Sequence, residues 1–185
     1  MMQPTYLKTP EEMYQFSCDH GYGTGFGPTW GKKNFRWVQR NLLPGEQVFF
    51  TFVGLHRFRS MSYHQRNFAY AITNKRIVMG QVRVFNLTRL ESVPLNAIMN
   101  ISFDYEESIG VMKIMLNGDA VTVGMASETA KALCEGLTEI LPLIQEFAHD
   151  LCPEAADEET EELPEETAPE SGGEEPVEET PEDGQ

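Results

Sequence analysis

The sequence contains few cysteines and no long apolar run. Its three cysteines, Cys18, Cys134 and Cys152, are an odd number without the spacing of a disulfide framework, which favours a reducing compartment. The longest apolar stretch, at residues 48–55, is far shorter than the ~20 residues that a helix needs to cross a bilayer. The opening MMQPTYLKTPEE lacks the apolar segment and cleavage site of a secretory signal. These absences predict a cytoplasmic protein without a transmembrane segment, and they leave peripheral association with a membrane open.

Nucleotide-binding loops are also missing, although the run GYGTGFGPTWGKKN at residues 21–34 is rich in glycine. A Walker A loop has four residues between its glycines and a hydroxyl residue after its lysine. Here five residues separate Gly25 from Gly31, and Lys33 stands where serine or threonine is required. The third glycine of a dinucleotide-binding fingerprint is absent as well. The run is interpreted as a connector between two helices, and Lys32 and Lys33 are candidate anion-binding groups at a helix start.

Catalytic and metal-binding patterns are equally scarce. The sequence has only four histidines, and no motif places one beside a serine, cysteine or carboxylate in the manner of a hydrolytic site. Cys18 and His20 lie two residues apart, but no second pair occurs at a zinc-site spacing. The sequence thus predicts no catalytic residue, no metal site and no cofactor, and the protein is not expected to be an enzyme.

Positive charge is absent from the end of the chain. Residues 154–185 contain 15 acidic residues, no basic residue and no aromatic residue. Such a segment buries too little apolar surface to offset its ordering entropy, so residues 153–185 are predicted to form a disordered acidic tail. The remaining 14 acidic residues balance all 14 basic ones, and the formal charge of −15 therefore belongs to the tail.

What precedes the tail is a pattern of two helices, seven strands and a last helix. The stretch TPEE predicts a helix start, and a second helix is expected from about residue 29 to 43. Runs rich in β-branched and aromatic residues follow, with the turn signal NG at residues 117–118. From Ser127 apolar residues recur at helical spacing, and Pro142 predicts a kink or break in that helix. This order predicts a mainly β, α+β domain: a small antiparallel barrel or sandwich closed by a C-terminal amphipathic helix.

Several of these segments resemble a known family. The hairpin sequence AYAITNKRI, the preceding FVGLHRF and the following VPLNAIMNIS and GVMKIML are similar to the YokE-like bacterial pleckstrin-homology (PH) domain family, over roughly residues 30–150. The resemblance implies a PH-like seven-stranded antiparallel barrel capped by the C-terminal helix. It also implies a binding or scaffold module rather than an enzyme, in some cases a homo-oligomer. The chain is accordingly divided into a helical segment with the glycine-rich connector (1–44), the PH-like barrel with its helix (45–152) and the acidic tail (153–185).

Basic residues dominate the middle of the chain. Between Lys32 and Arg89 there are eleven basic residues and one acidic residue, Glu46. Four groups cluster between the first two predicted strands: Arg57, Arg59, His64 and Arg66. Guanidinium groups bind phosphate oxygens in pairs, and in PH domains that bind phosphoinositides the corresponding loop holds the headgroup. With Lys32 and Lys33, these four residues are the candidate anion- or partner-binding site. The alternative is a solvated loop whose arginines pair with local acids, and Arg76 is expected to stabilise its own turn.

Two functions remain open from the sequence. The first is a non-catalytic PH-like binding or scaffold module that engages a protein partner or self-assembles. The second is a peripheral binder of anionic lipid, which would use the basic loop and insert Phe58, Met61 and Tyr63 at the membrane interface. The net charge and the lack of a recognisable motif disfavour nucleic acid as a partner. The acidic tail is predicted either to cover the basic surface and compete with an anionic partner, or only to keep the protein soluble.

Overall fold

The computed structural model describes residues 6–23, 26–83, 87–106 and 108–151 of the chain. The elements are α1 (Pro10–Asp19), α2 (Pro28–Arg40), β1 (Val48–His56), β2 (Asn67–Thr73), β3 (Arg76–Val82), β4 (Thr88–Pro94), a short 3-10 helix (Leu95–Ala97), β5 (Ile98–Glu106), β6 (Ile109–Leu116), β7 (Ala120–Ala126) and α3 (Ser127–Leu151). The predicted disordered acidic tail, 153–185, lies outside the described residues.

The seven strands form one antiparallel sheet in the order β4-β3-β2-β1-β7-β6-β5. β1 lies at the centre and pairs with β2 from Val48 to Leu55. Its pairing with β7 is confined to Leu55 opposite Gly124 and His56 opposite Val123. β4 and β5 are the two edges of this order. Seven antiparallel strands followed by α3 confirm the predicted PH-like fold of the mainly β class.

One apolar core fills the face of the sheet that α3 covers. Phe52 and Tyr70 are fully buried there, with their rings stacked at a centroid separation of 4.5 Å. From α3 this core receives Ala130, Leu133 and Leu137, which recur at helical spacing and so lie on one face of the helix. The amphipathic pattern of the sequence therefore places α3 against the sheet.

α3 is a continuous helix from Ser127 to Leu151, although Pro142 lies inside it. The predicted break does not occur. A proline removes one hydrogen bond of the helix ladder, but Ile140 and Leu141, immediately before it, pack against the core. Burial of these side chains holds the helix on the sheet as it passes the proline.

α1 and α2 cover the opposite face of β1 to β3 and form a second apolar core. Met13, Phe35 and Val38 of these helices are fully buried in it. A Cβ atom at Gly80 of β3 would lie 2.7 Å from Val38 Cγ2, so glycine is needed there for α2 to approach the sheet. Because β1 to β3 are buried on both faces, their sequences are near-continuous apolar runs rather than alternating ones. The division of the chain at residue 44 stays a prediction.

Arg76 holds the base of the β2–β3 turn. Its Nε donates to Glu46 Oε1 at 2.9 Å and its Nη2 donates to Glu46 Oε2 at 3.1 Å and to the Asn41 carbonyl at 2.8 Å. The Glu46 side chain is fully buried and also accepts from the Thr73 hydroxyl at 2.8 Å. Burial alone would raise the pKa of Glu46, but the hydrogen bonds from Arg76, Leu43 and Thr73 outweigh it and lower the pKa. Arg76 is therefore a structural residue, as its place in the predicted hairpin indicated.

Candidate anion-binding site

The loop between β1 and β2, residues 57–66, is hydrogen-bonded at its base and at its tip. At the base, the His56 amide donates to the Arg66 carbonyl at 2.8 Å and the Gln65 amide donates to the His56 carbonyl at 2.7 Å. At the tip, Ser60 and Tyr63 form an isolated β-bridge. Arg57 and Arg66 adopt positive φ angles of 50° and 70°, an uncommon conformation for non-glycine residues. These backbone contacts give the loop a defined conformation, which sets where its arginines leave the backbone.

Beside this loop is a cavity of about 580 Å³ that we call the arginine pocket. The arginines and the histidine that line it are Arg57, Arg59, His64, Arg66, Arg83 and Arg89. The structure therefore brings together all four predicted residues of the loop and adds two from the β3–β4 hairpin. In successive antiparallel hairpins the end of β3 and the start of β4 lie beside the start of β2. The order of the predicted strands was therefore the sequence signal that could have placed Arg83 and Arg89 near the loop.

Positive charges in the arginine pocket are close together and mostly lack acidic partners. Arg59, Arg66, Arg83 and Arg89 form no ion pair with any acidic side chain among the described residues. Arg83 Nε donates to the neutral amide oxygen of Gln81 at 2.5 Å. Desolvation lowers the pKa of Arg83, and the charges of Arg89 and Arg66 lower it further. An anion in the pocket would relieve this repulsion.

Glu91 on β4 supplies a carboxylate to this side of the sheet. Arg57 Nη2 donates to Glu91 Oε2 at 3.1 Å, and His56 Nε2 lies 3.2 Å from the same oxygen. The second of these contacts is not aligned as a hydrogen bond. Among the described residues, His56 Nε2 is the buried polar side-chain atom without a hydrogen-bond partner. The Nδ1 of His56 is 2.8 Å from the Tyr70 hydroxyl. These contacts connect the apolar core to an arginine of the pocket.

The pKa values of this group follow from its burial. The His56 side chain is fully buried, and desolvation lowers its pKa although Glu91 acts in the opposite direction. Burial opposes ionisation of Glu91, but the charges of His56 and Arg57 and the hydrogen bond from Arg57 outweigh it and lower its pKa. Glu91 is therefore a carboxylate that partly neutralises Arg57 at neutral pH.

Lys32 and Lys33 do not line the arginine pocket. They lie in the first turns of α2, and Lys33 lines a separate groove of about 480 Å³ with Arg36 and Arg40 of the same helix. Thr88 faces this groove while Arg89 faces the arginine pocket, because successive residues of a strand point to opposite sides of the sheet. Of the six predicted residues, the four of the loop therefore line the arginine pocket, whereas Lys33 lines a groove on the other face of the β3–β4 hairpin.

Two of the three residues expected to insert at a membrane are exposed. Met61 and Tyr63, at the tip of the loop, are 61% and 62% exposed. Phe58 is only 7% exposed and packs against β7, where a Cβ atom on Gly124 would lie 2.4 Å from its Cγ. The expectation for Phe58 is therefore wrong: the side chain anchors the loop to the sheet and is not available for insertion.

Other kinds of site receive no support from the part of the chain that the structure describes. Among residues 6–23, 26–83, 87–106 and 108–151, no cluster of three histidine, cysteine or acidic side chains is arranged to hold a metal ion. In the same residues no helix has the length and apolar character that crossing a bilayer requires.

A family model of known proteins agrees with this architecture. The family model described as "Bacterial PH domain" matches residues 42–139, which span β1 to β7 and the first half of α3. A solved structure described as autoinhibited Vav1 is similar at 10% identity and a TM-score of 0.36, over 78% of this chain. This chain spans 24% of the length of that Vav1 chain. No curated protein matches the sequence.

Proposed function

The chain belongs to the bacterial PH-domain family, and from this premise we propose that it is a non-catalytic peripheral membrane module that binds the phosphate of an anionic lipid in the arginine pocket. The observation that carries the proposal is the convergence of five arginines on one cavity, while among the described residues Glu91 is the one carboxylate that forms an ion pair with any of them. Guanidinium groups offer paired donors that match phosphate oxygens, and they gain most where water is partly excluded.

Exposed apolar groups beside the pocket support a membrane as the source of the phosphate. Met61 and Tyr63 project from the loop that carries Arg57, Arg59 and Arg66. The Arg59 guanidinium lies 5.3 Å from the centre of the Tyr63 ring, a cation–π distance. A loop that presents arginines next to exposed apolar side chains matches the boundary between lipid headgroups and acyl chains.

Vesicle sedimentation of the full chain tests this function. Phosphatidylcholine vesicles are compared with vesicles that also contain phosphatidic acid, at low and high salt. The double variant Arg83→Ala/Arg89→Ala should bind the anionic vesicles about thirtyfold more weakly, because each basic residue near such a surface contributes about 1 kcal/mol. Lys113→Ala/Lys131→Ala changes the net charge equally but lies outside the pocket, and it should change binding less than about threefold.

Arginine-to-lysine variants separate headgroup recognition from general attraction. Arg83→Lys/Arg89→Lys keeps the charge but loses the paired donors, so specific recognition predicts a loss on the order of tenfold. Unchanged binding would reduce the pocket to a diffuse basic surface. Absence of sedimentation with anionic vesicles at low salt would reject the lipid function. Competition by inorganic phosphate at equal ionic strength distinguishes a site for free phosphate from one for a membrane headgroup.

Self-assembly is the second candidate function, and the sheet edges favour it. β4 and β5 are edge strands, on which Leu90 is 37% and Met99 is 72% exposed. Edge strands offer unpaired backbone groups to another chain. Sedimentation velocity of the full chain tests this scaffold function. A species that Leu90→Lys or Met99→Lys dissociates would support it, and a monomer at every concentration would reject it.

A further inference from the structure

A second cavity, which we call the apolar cleft, opens where β1 and β7 separate. Its volume is about 440 Å³, within the range of roughly 300–1,000 Å³ that small-molecule sites occupy. The apolar side chains that line it include Phe26, Val53, Leu55, Met61 and Ile109. No charged residue lines it among the described residues, and its polar groups are those of Asn67, Ser108 and Thr129.

The cleft arises from the short pairing between β1 and β7. The two strands share only the pairs Leu55–Gly124 and His56–Val123. Two residues before Leu55 in β1, the amide of Val53 donates to the Tyr22 carbonyl at 2.9 Å instead of to β7. The space between these diverging strands is therefore left open by the backbone itself.

The apolar cleft and the arginine pocket share the β1–β2 loop as a common wall. Met61 lines the cleft and its neighbour Ser62 lines the pocket. At the other side of the loop, Arg66 lines the pocket and its neighbour Asn67 lines the cleft. Consecutive Cα atoms are about 3.8 Å apart, so the two linings meet at both ends of this segment. One side of the wall is cationic and the other is apolar.

We propose that the apolar cleft takes a hydrocarbon chain of the lipid whose phosphate binds in the arginine pocket. This inference rests on the proposed function and specifies its ligand as an anionic amphiphile rather than a headgroup alone. The charge of the pocket complements the phosphate, and the uncharged cleft complements the chain that is attached to it. The exposed tip of the loop, with Met61, lies between the two parts of the ligand.

The expected ligand is a lipid whose chain is otherwise in water. A methylene group that moves from water into an apolar site gains about fourfold in affinity. The same group gains little when it leaves a bilayer, because lipid tails are as apolar as leucine side chains. The cleft should therefore increase the affinity for monomeric single-chain phosphates more than the affinity for intact bilayers.

Calorimetric titration of the full chain tests the proposal. The probes are inorganic phosphate and then butyl, hexyl, octyl and decyl phosphate, each below the concentration at which it forms micelles. Affinity should rise with chain length by up to about fourfold for each buried methylene group and then level off when the cleft is full. Ala126→Leu places a larger side chain at an exposed position of the cleft lining and should flatten the rise without changing phosphate affinity. Ala97→Leu, the same change at an exposed site outside the cleft, should leave the rise intact.

The outcomes separate the cleft from the pocket. If phosphate binds and chain length has no effect, the cleft proposal is overturned and the headgroup site stands. If Ala126→Leu leaves the rise intact while its melting temperature shows a folded protein, the chain binds elsewhere and the proposal is again overturned. If octyl glucoside binds with sensitivity to Ala126→Leu but no phosphate binds, the cleft is supported as a hydrocarbon site and the headgroup site is rejected.

Discussion

At the scale of single residues, Glu91 offsets part of the positive charge of the arginine pocket through its ion pair with Arg57. Among the described residues Arg57 has one acidic partner, Glu91, which is in turn in contact with the buried His56. Both Arg57 and Glu91 are partly exposed, so their ion pair contributes only about 0–1 kcal/mol to stability. We expect Glu91 to weaken the binding of an incoming anion, because it competes for Arg57 and repels negative charge.

Replacing Glu91 with glutamine should strengthen anion binding. The variant Glu91→Gln removes the negative charge beside the pocket and frees Arg57, so the affinity for anionic vesicles should rise about fivefold. Glu128→Gln, the same change at an exposed site in the first turn of α3, should have no comparable effect. Vesicle sedimentation measures both variants. If Glu91→Gln instead binds the anionic vesicles more weakly, the carboxylate positions Arg57 for binding.

His56 gives the free energy of unfolding a specific pH dependence. Burial lowers its pKa in the folded protein, whereas in the unfolded chain the pKa is about 6.5. The unfolded chain therefore binds the proton more readily, and stability should fall as the pH drops below about 6.5, until it passes the folded pKa. Glu91 and Glu46, whose pKa values are lowered, should add a separate loss below about pH 4.5.

Chemical denaturation at a series of pH values measures this loss. The charged and titratable groups that act on His56 are Glu91, Arg57 and Arg89, with the Tyr70 hydroxyl at its Nδ1. His56→Gln should remove the loss that begins below about pH 6.5 and precedes the carboxylate loss below about pH 4.5, even though it lowers stability at every pH. His20→Gln, an exposed control, should preserve the loss. Equal stability of the native protein across this interval would contradict the assignment.

At the scale of elements, two ion pairs connect different segments of the domain. The β2–β3 turn is held by the buried pair of Arg76 with Glu46, whose side chains are 15% and 0% exposed. The pair of Lys113 with Asp104, on β6 and β5, is 42% and 54% exposed. These two ion pairs differ mainly in burial, and burial decides how much an unpartnered charge costs.

Breaking the buried pair should be far more costly than breaking the exposed one. Arg76→Ala leaves Glu46 charged and buried, which should lower the free energy of unfolding by about 3–5 kcal/mol. Lys113→Ala should lower it by no more than about 1 kcal/mol. Urea denaturation measures both values. A loss below about 1 kcal/mol for Arg76→Ala would mean that water or a neighbouring group takes over the contacts of the guanidinium.

At the scale of the whole molecule, charge is divided along the chain. Residues 1–153 are electrically balanced, and residues 154–185 carry the whole formal charge of −15. Repulsion between so acidic a segment and an anionic membrane opposes binding over a distance set by the salt concentration. The tail should therefore act on lipid affinity through net charge, in addition to any effect on solubility.

Removing residues 154–185 should increase the affinity for anionic vesicles at low salt. The truncated chain has a net charge of zero, so the repulsion from the tail is lost. Near 1 M salt the Debye length falls to about 3 Å, and the two chains should then bind equally. Vesicle sedimentation measures the difference, and circular dichroism confirms that the truncated chain is folded. Equal affinities at low salt would leave the tail with a solubilising role.

The sequence by itself determined the elements and the class of the fold. Thr9 caps α1 through a capping box with Glu12, as the stretch TPEE predicted. Gly118 adopts a φ of 85° in the turn between β6 and β7, which the NG signal predicted. The basic loop of residues 57–66 was equally visible. Such features depend on neighbours within a few residues along the chain, and short-range backbone preferences are encoded locally.

Only the tertiary structure decided which cations share a cavity and which aromatic side chain is exposed. Arg83 and Arg89 join the loop because antiparallel pairing returns the β3–β4 hairpin to it, and Lys33 is excluded because it lies on the other face of that hairpin. Phe58 is buried because β7, more than sixty residues later in the chain, presents Gly124 to it. Strand register and side-chain alternation fix these contacts between distant residues, and neither can be read from local sequence preferences.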